Sequence, residues 1–201
     1  MPELVTSVQV LGIVAVLAYL LGSVPFGILI TRAMGLGDLR AIGSGNIGAT
    51  NVLRTGNKGA AAATLILDAA KGAVAVLVAR GLVAEDAAQL AGLMAFLGHL
   101  FPVWLRFKGG KGVATFLGIL LALHWPVGLA VCGTWLFAAV LSRYSSLAAL
   151  LAAGSSTVWM LTFGDLRMLF LGAVMTVLVY ARHEANIKRL KDGTEPKIGA
   201  K

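Results

Sequence analysis

The residues best suited to chemistry lie in a basic, glycine-rich stretch, "FKGGKGVAT", between two long apolar runs. Gly109, Gly110 and Gly112 leave the backbone free of side chains, and Lys111 adds a positive charge. We expect an apolar helix to begin at Val113, so that free N–H groups and the positive end of the helix dipole lie beside the glycines. The combination predicts a phosphate cradle.

The same stretch does not match a nucleotide-binding P-loop. That motif, G-x-x-x-x-G-K-[ST], requires glycine at position 105 and a hydroxyl residue at position 112, where this sequence has Leu105 and Gly112. ATP hydrolysis is therefore not supported. The alternative interpretation is a basic turn at the membrane surface that holds anionic lipid.

A second polar segment, "GSGNIGATNVLR", covers positions 43–54. Its glycines allow positive φ and close backbone approach, and its N–H groups could form an anion-binding nest. We predict that Asn46 contacts substrate here and that Arg54, placed where the loop becomes a helix, binds a phosphate. A flexible loop between helices is the alternative.

A third polar segment, "RHEANIKRLKDGTE", follows the last apolar run. His183 and Asn186 are three residues apart and would share one face of a helix that extends this run into the cytoplasm. Histidine is the usual proton-transfer group near neutral pH. Arg182 and Glu184 are expected to point elsewhere on the helix. The alternative is a solvated basic tail with an incidental histidine.

The remaining polar residues of the apolar runs are given structural roles. Asp68 and Lys71 lie three apart within one predicted span, where charged groups are costly and tend to pair. His99 is expected to pack at a helix end, His124 to lie at the outer interface, and Cys132 to be a small buried apolar residue. The chain has too few clustered histidines, cysteines and carboxylates to predict a metal site.

The composition places these segments in a membrane protein. The 201 residues are 58% hydrophobic and 13% charged, with a mean hydropathy of +0.87, and their number suits one domain, 1–201. The net charge of +8 could attract anionic lipid, phosphorylated small molecules or nucleic acid. Nucleic acid is the partner that a membrane composition favours least.

Long apolar runs predict the membrane spans, since about 20 apolar residues cross a bilayer as a helix. Gly112–Ser142 carries no formal charge and is long for one span but short for two, and "HWP" in its middle is typical of a turn at an interface. The other predicted spans are Leu4–Thr31, Gly59–Ala79, Ala87–Leu105, Tyr144–Gly164 and Leu166–Tyr180.

The distribution of Lys and Arg favours a hairpin in Gly112–Ser142. With seven spans, all but three of the 17 basic residues share one side, the exceptions being Arg80, Arg167 and the intramembrane Lys71. With six spans the two sides carry equal numbers. The positive-inside rule therefore predicts an all-α integral membrane protein with seven transmembrane helices, an external N-terminus and a cytoplasmic C-terminus. The three polar segments then share the cytoplasmic face.

Together the three segments resemble the motifs of the bacterial acyl-phosphate-dependent glycerol-3-phosphate acyltransferases, the PlsY family. "GSGNIGATNVLR", "GHLFPVWLRFKGGKGVAT" and "RHEANIKRLKDGTE" match its motifs in order and spacing along essentially the whole chain. The resemblance implies a seven-helix enzyme of the bacterial inner membrane that needs no cofactor. It would transfer a fatty acyl group from acyl phosphate to the 1-hydroxyl of sn-glycerol 3-phosphate, giving lysophosphatidic acid and phosphate.

The resemblance also implies roles for particular residues, with Glu195 in a structural one. Lys111 lies beside the glycines that the family uses for acyl phosphate. The residues carried over as catalytic or substrate-binding are Ser44, Arg54, Gly109, Gly110, Lys111, Gly112, Ser146, His183 and Asn186.

Two groups could accept the proton that the attacking hydroxyl loses: His183 and the departing phosphate. Direct transfer is favoured over an acyl-enzyme on Ser44, because a serine nucleophile needs an adjacent base and the neighbours of Ser44 are glycines.

We expect the chain to act as a monomer. The competing hypotheses are an organic-phosphate transporter and a non-catalytic lipid-binding protein. The absence of an inverted repeat in the sequence counts against transport.

Overall fold

The computed structural model describes residues 2–163 and 166–199, and within these ranges the regular structure is helical. Short 3-10 turns connect some of the helices. The α-helices are α1 Val8–Gly22, α2 Phe26–Ala33, α3 Ala49–Val52, α4 Lys58–Leu82, α5 Glu85–Leu100, α6 Val113–Leu123, α7 Trp125–Ser142, α8 Ser145–Thr162, α9 Leu169–Arg182 and α10 Glu184–Lys191.

Five helical segments within the described ranges are long and apolar enough to cross a bilayer, and a bent pair, α9 with α10, raises the number to six. The predicted break in Gly112–Ser142 is confirmed, because α6 ends at Leu123 and α7 begins at Trp125, with Pro126 in its first turn. α6 has only 11 residues and is too short to count among the candidates. The count of seven spans stays a prediction, and Gly164, the predicted end of one span, lies outside the described residues.

The first predicted span, Leu4–Thr31, is divided in the structure. α1 ends at Gly22 and α2 begins at Phe26, with Pro25 at the junction. Proline has no N–H group and restricts the residue before it, which explains why the helix is interrupted there. The interruption leaves polar backbone at Ser23–Pro25 inside an otherwise apolar segment.

The outward surface of the bundle is apolar. Large side chains on α1, α4, α7, α8 and α9 are more than one third exposed, a pattern that a water-facing protein of this size would not tolerate. Lipid satisfies such a surface without cost, so the exposure fits a membrane environment. The most exposed examples include Val8, Ile66, Phe137, Val140, Leu141 and Val177.

The helices pack closely because small residues lie where they cross. A Cβ atom on Gly22 would overlap the backbone of Ala95, and one on Gly118 would overlap the backbone of Ala69. These contacts join α1 to α5 and α4 to α6. Small residues at crossings let membrane helices approach through van der Waals contact. The arrangement fixes α6 rigidly against α4.

The last helical segment bends by 61° at His183, between α9 and α10. The prediction that the third polar segment continues the last apolar helix is therefore wrong. After α10 the chain returns to the bundle, where the N–H of Ile198 donates to the carbonyl of Arg143 at 2.7 Å. The bend turns α10 and the residues after it towards the other two polar segments.

Candidate active site

One cavity of about 310 Å³ brings the three polar segments together. Its wall includes an apolar side formed by Leu65, Leu117, Cys132 and Trp135. Cys132, expected to be buried, is only half-buried and faces this cavity. The predicted site residues that line it are Ser44, Asn46, Arg54, Lys111, Gly112, Ser146, His183 and Asn186.

Asn51 holds the first polar segment in shape. This buried side chain donates through Nδ2 to the carbonyls of Leu39 and Ile42 at 2.9 and 3.0 Å. Its Oδ1 accepts from the Ser44 N–H and from Nη1 of Arg54, both at 3.2 Å. The amide therefore makes bonds through both of its polar atoms and aims Arg54 into the cavity wall. Sequence analysis did not single out Asn51.

Gly43 has a positive φ of 53° and lies directly against the Arg54 side chain. An added Cβ would come within 2.6 Å of Cδ of Arg54 and 2.8 Å of Oδ1 of Asn51. Glycine is required here both for the backbone conformation and for the space. At position 43, therefore, glycine is needed because a larger residue would overlap Arg54 and Asn51.

The N-terminus of α6 opens into the cavity. The helix begins at Val113, as predicted, and Gly112 caps it with φ of 82°. Lys111, Gly112, Val113 and Ala114 all line the cavity. Across residues 2–163 and 166–199, the N–H groups of Lys111 and Gly112 have no hydrogen-bond acceptor. Free N–H groups at a helix N-terminus form an anion site.

Gly109 and Gly110 contribute differently from the expectation of free N–H groups. The Gly109 N–H donates to the carbonyl of Leu100, and the Gly110 N–H donates to the carbonyl of His99, both at 3.1 Å. Neither glycine lines the cavity. A Cβ on either would overlap atoms at the end of α5. In the structure these two glycines let the loop pack against α5 and so place Lys111.

Arg182 also holds this loop, although it does not line the cavity with His183 and Asn186. Its Nε donates to the carbonyl of Gly110 and its Nη2 to that of Gly109, both at 3.2 Å. Its guanidinium carbon lies 5.4 Å from the centre of the Phe101 ring. Arg182 joins the third polar segment to the second, and the bend that follows it at His183 turns the rest of the third segment towards the cavity.

Lys111 has an unusually acidic ammonium group. Burial lowers the pKa of Lys111 from 10.5 to about 8; nearby Glu195 opposes this shift, while Arg189, Arg54 and Arg182 add to it. Positive neighbours and burial both disfavour a charged lysine. The same surroundings favour a bound anion, whose negative charge would offset the positive charges of Lys111 and the neighbouring arginines.

His183 is buried and neutral, and its tautomer is set by the fold. Nδ1 lies 2.8 Å from the carbonyl oxygen of Val179. Because a carbonyl oxygen can only accept, Nδ1 carries the proton and Nε2 keeps its lone pair. Burial lowers the pKa of His183 to about 4, with the charge of Lys111 among the smaller contributions. The side chain can therefore accept a hydrogen bond from a hydroxyl at neutral pH.

Glu195 holds the third segment together, in line with its predicted structural role. Its carboxylate accepts from Nδ2 of Asn186 at 2.6 Å and from Nε of Arg189 at 2.7 Å. Burial raises the pKa of Glu195, but interactions with Ser146, Asn186 and Arg189 hold it below its ordinary value. The charge of Arg189 is thereby compensated within the cavity wall.

The cavity has a net positive charge. Of its acidic lining residues, Asp68 is paired with Lys71 and Glu195 with Arg189. Within the described part of the chain, Arg54 and Lys111 form no ion pair with a carboxylate. Two cations and a helix N-terminus in one cavity favour an anionic ligand.

The hydroxyl of Ser44 has only an amide for a neighbour, since Oγ lies 3.5 Å from Oδ1 of Asn51. An amide oxygen cannot act as the general base that a serine nucleophile needs. His99 is buried in the last turn of α5, as expected, and also lines the cavity beside Asp68. His124 caps α7 at the other end of the bundle and takes no part in the cavity.

A family model described as glycerol-3-phosphate acyltransferase matches residues 12–193. The chain belongs to this family. A relative of that name from Cereibacter sphaeroides (strain ATCC 17025 / ATH 2.4.3) is 65% identical over 201 residues, covering 100% of this chain and 96% of the relative. One from Ruegeria pomeroyi is 62% identical, covering 100% of this chain and 99% of the relative. The chain is therefore an acyltransferase, and phospholipid synthesis follows from the family.

Two solved structures share the fold. Both are crystal structures of PlsY (YgiH), described as an integral membrane glycerol 3-phosphate acyltransferase, and each covers 94% of this chain and 96% of the other. The glycerol 3-phosphate form has a TM-score of 0.89 at 39% identity, and the lysophosphatidic acid form a TM-score of 0.87 at 38%. The resemblance found in the sequence is confirmed, and the chain is a multi-pass membrane protein rather than a soluble one.

Proposed function

We propose that this acyltransferase moves a fatty acyl group from acyl phosphate to the 1-hydroxyl of sn-glycerol 3-phosphate, releasing lysophosphatidic acid and inorganic phosphate. The observation that carries the proposal is the single cavity that joins two uncompensated cations, a helix N-terminus and a neutral imidazole to an apolar wall. Such a cavity offers binding groups for phosphate and an apolar surface on which an acyl chain can begin. The names of the PlsY structures, a glycerol 3-phosphate form and a lysophosphatidic acid form, support the same acceptor and product.

The N-terminus of α6 is the proposed site of the donor phosphate. Acyl phosphate is a mixed anhydride whose leaving group gains negative charge as the acyl C–O bond breaks. Lys111 and the free N–H groups of Lys111 and Gly112 would stabilise that charge from fixed positions. The apolar wall at Leu117 and Trp135 offers a surface for the acyl chain.

The first polar segment is the proposed site of glycerol 3-phosphate. Arg54 can hold a phosphate through two parallel N–H bonds, and its position is fixed by Asn51. Ser44 and Asn46 line the cavity nearby and add hydrogen-bonding groups. This arrangement would leave the 1-hydroxyl free to approach the acyl carbon.

The proton of that hydroxyl goes to the departing phosphate in this proposal. The ester C–O bond forms as the bond to phosphate breaks, and the phosphate leaves as a trianion that must gain one proton. It is a much stronger base than a histidine with a pKa of about 4. As the substrate binds, His183 would accept the hydroxyl hydrogen bond at Nε2 and orient the oxygen; as the ester C–O bond forms, that hydrogen bond breaks and the proton passes to the phosphate. Atoms and charge balance without any added cofactor.

The proposed topology has seven spans, with α6 as a short seventh pass and the site on the cytoplasmic side of the bacterial inner membrane. It is supported by the excess of Lys and Arg that this arrangement places on one side. Replacing Cys132 by alanine and adding single cysteines at Lys197 and Glu3 would test it. We expect a membrane-impermeant thiol reagent to label Glu3→Cys in intact cells and Lys197→Cys only after lysis.

The donor is tested with purified protein and labelled glycerol 3-phosphate. Palmitoyl phosphate, palmitoyl coenzyme A and palmitoyl acyl carrier protein are supplied in separate reactions. We expect equal amounts of lysophosphatidic acid and phosphate from palmitoyl phosphate, and no product from either thioester. Product from a thioester alone would overturn the donor assignment, while glycerol 3-phosphate would remain the acceptor.

A further inference from the structure

A cluster of three polar side chains lies at the cavity edge and takes no part in the proposed chemistry. Asp68 and Lys71 form an ion pair of 2.8 Å, with side chains only 4% and 2% exposed. Nδ1 of His99, also buried, lies 3.6 Å from Oδ1 of Asp68, slightly beyond hydrogen-bond distance. We call Asp68, Lys71 and His99 the buried triad.

Lys71 connects the triad to the interruption between α1 and α2. Its Nζ donates to the carbonyl of Val24 at 2.9 Å and lies 5.8 Å from the centre of the Phe26 ring. Val24 lies just before the proline that breaks the first span. Lys71 therefore joins α4 to α2, the helix that leads into the first polar segment.

His99 connects the triad to the glycine loop. Its carbonyl accepts the Gly110 N–H at 3.1 Å, and its imidazole lies so close to Gly110 that an added Cβ would overlap Nε2. Gly110 precedes Lys111, the proposed ligand of the donor phosphate. A displaced imidazole would therefore displace the loop.

Asp68 also fixes the first turn of α6. The buried Thr115 hydroxyl donates to the backbone carbonyl of Asp68 at 2.8 Å. The next turn of α6 packs on α4 through Gly118, against Ala69. The anion-binding end of α6 is thus held by the backbone of the residue whose carboxylate pairs with Lys71.

A buried ion pair gives a weak account of stability, because desolvation offsets most of its attraction and apolar residues would pack as well. The contacts of the triad account for it differently, since Asp68 and His99 lead to groups around the donor phosphate and Lys71 holds the carboxylate of Asp68. We propose that Asp68, Lys71 and His99 are positioning residues that hold the glycine loop and the N-terminus of α6 in register for the donor phosphate. This inference rests on the proposed function, which assigns the donor to that loop.

The experiment compares Asp68→Asn, the charge-neutral double variant Asp68→Asn/Lys71→Met, and the wild type. Inorganic phosphate, the product, is titrated against the melting temperature of each protein, which reports binding without turnover. We expect the variants to need about tenfold more phosphate for the same stabilisation. Charge alone predicts the opposite for Asp68→Asn, because removing a negative group from the cavity edge would tighten phosphate binding.

Kinetics give the second readout. We expect KM for palmitoyl phosphate to rise about tenfold in the triad variants, with KM for glycerol 3-phosphate changed less than about twofold. The matched control is Glu85→Gln, which breaks the Arg80–Glu85 ion pair at the C-terminal end of α4 and should change neither KM. Unchanged or tighter phosphate binding, or an equal rise in both KM values, would overturn the inference. A wild type inactive with palmitoyl phosphate would instead count against the proposed function, and the phosphate titration would still test the triad.

Discussion

Helix α4 carries one ion pair at its middle and another near its C-terminal end, of nearly equal length and very different surroundings. Asp68–Lys71, at 2.8 Å, is almost fully buried beside the cavity. Arg80–Glu85, at 2.7 Å, has side chains about one third exposed. Arg80 also donates to the carbonyls of Ala122 and Leu123, the last residues of α6. We call the part of the bundle around the cavity and Asp68–Lys71 the site end, and the part around Arg80–Glu85 the far end.

The difference shows what each end is built to do. At the far end, Arg80 pairs with Glu85 and satisfies carbonyls that any helix leaves free at its C-terminus, so the pair closes two helix ends. At the site end, Arg54 and Lys111 remain without a carboxylate partner in the described ranges. Arg80 and Glu85 are thus satisfied within the protein, whereas Arg54 and Lys111 keep their charge available for an anionic ligand.

The largest contrast should come from the two arginines. Arg54→Gln is expected to lower kcat/KM for glycerol 3-phosphate about 1,000-fold, because a fixed bidentate contact to phosphate is lost. Arg80→Gln should leave kcat/KM within about twofold and cost less than about 1 kcal/mol, as exposed ion pairs do. Steady-state kinetics and thermal melting measure both. A comparable kinetic loss in the two variants would remove the distinction between the ends.

The two histidines provide the next contrast. His183→Ala should lower kcat about 100-fold, because the hydroxyl loses the acceptor that orients it. His124→Ala, at the far end, removes only a 3.5 Å contact to the Val127 N–H and should leave kcat unchanged. Turnover of palmitoyl phosphate measures both. Near-normal turnover by His183→Ala would exclude a catalytic role for this residue.

The two ends also differ in the space around their glycines. Gly110→Ala would bring a Cβ onto the His99 imidazole, and we expect KM for palmitoyl phosphate to rise about 30-fold as the loop moves. Gly81, near the far end of α4, has no neighbouring atom within 4 Å of an added Cβ. Gly81→Ala should therefore stabilise the protein by up to about 1 kcal/mol without kinetic effect. If KM in Gly110→Ala stayed at the wild-type value, the packing role of this glycine would be wrong.

Features with local signals were predictable from the sequence. Gly112 before an apolar run predicted the start of α6, and the three-residue spacing of Asp68 and Lys71 predicted their ion pair. The turn at His124 followed from the proline after it. In each case the residues that decide the structure lie within about one helical turn of each other, so the sequence itself shows the interaction.

Features that depend on distant contacts were not predictable. Arg182 binds carbonyls 72 and 73 residues away, and the Asn51 side chain bridges backbone on both sides of a loop. The bend at His183 has no proline or glycine to indicate it. Free N–H groups were predicted at the helix N-terminus beside Gly109, Gly110 and Gly112. They are found at Lys111 and Gly112, whereas the N–H groups of Gly109 and Gly110 bind carbonyls of α5. Which groups stay free for a ligand is settled by packing.

The smallest expected effect is a pH dependence that belongs to the site end alone. With the pKa of Lys111 at about 8, roughly half of the free enzyme carries the charge at pH 8 and about a tenth at pH 9. The charged form binds phosphate, so kcat/KM for palmitoyl phosphate should fall about tenfold between pH 7 and pH 9. Lys111→Arg should be slower at pH 7 but lose this alkaline decline, because arginine stays protonated.

Arg80→Gln serves as the far-end control and should keep the alkaline decline of the wild type. The comparison is confined to the alkaline side, since phosphate monoesters such as glycerol 3-phosphate titrate near pH 6 and would shape the acidic side in every variant. An alkaline decline that persisted in Lys111→Arg would assign it to another group. Its disappearance in Lys111→Arg alone would show that the shifted ammonium at the N-terminus of α6 is the charge that the donor requires.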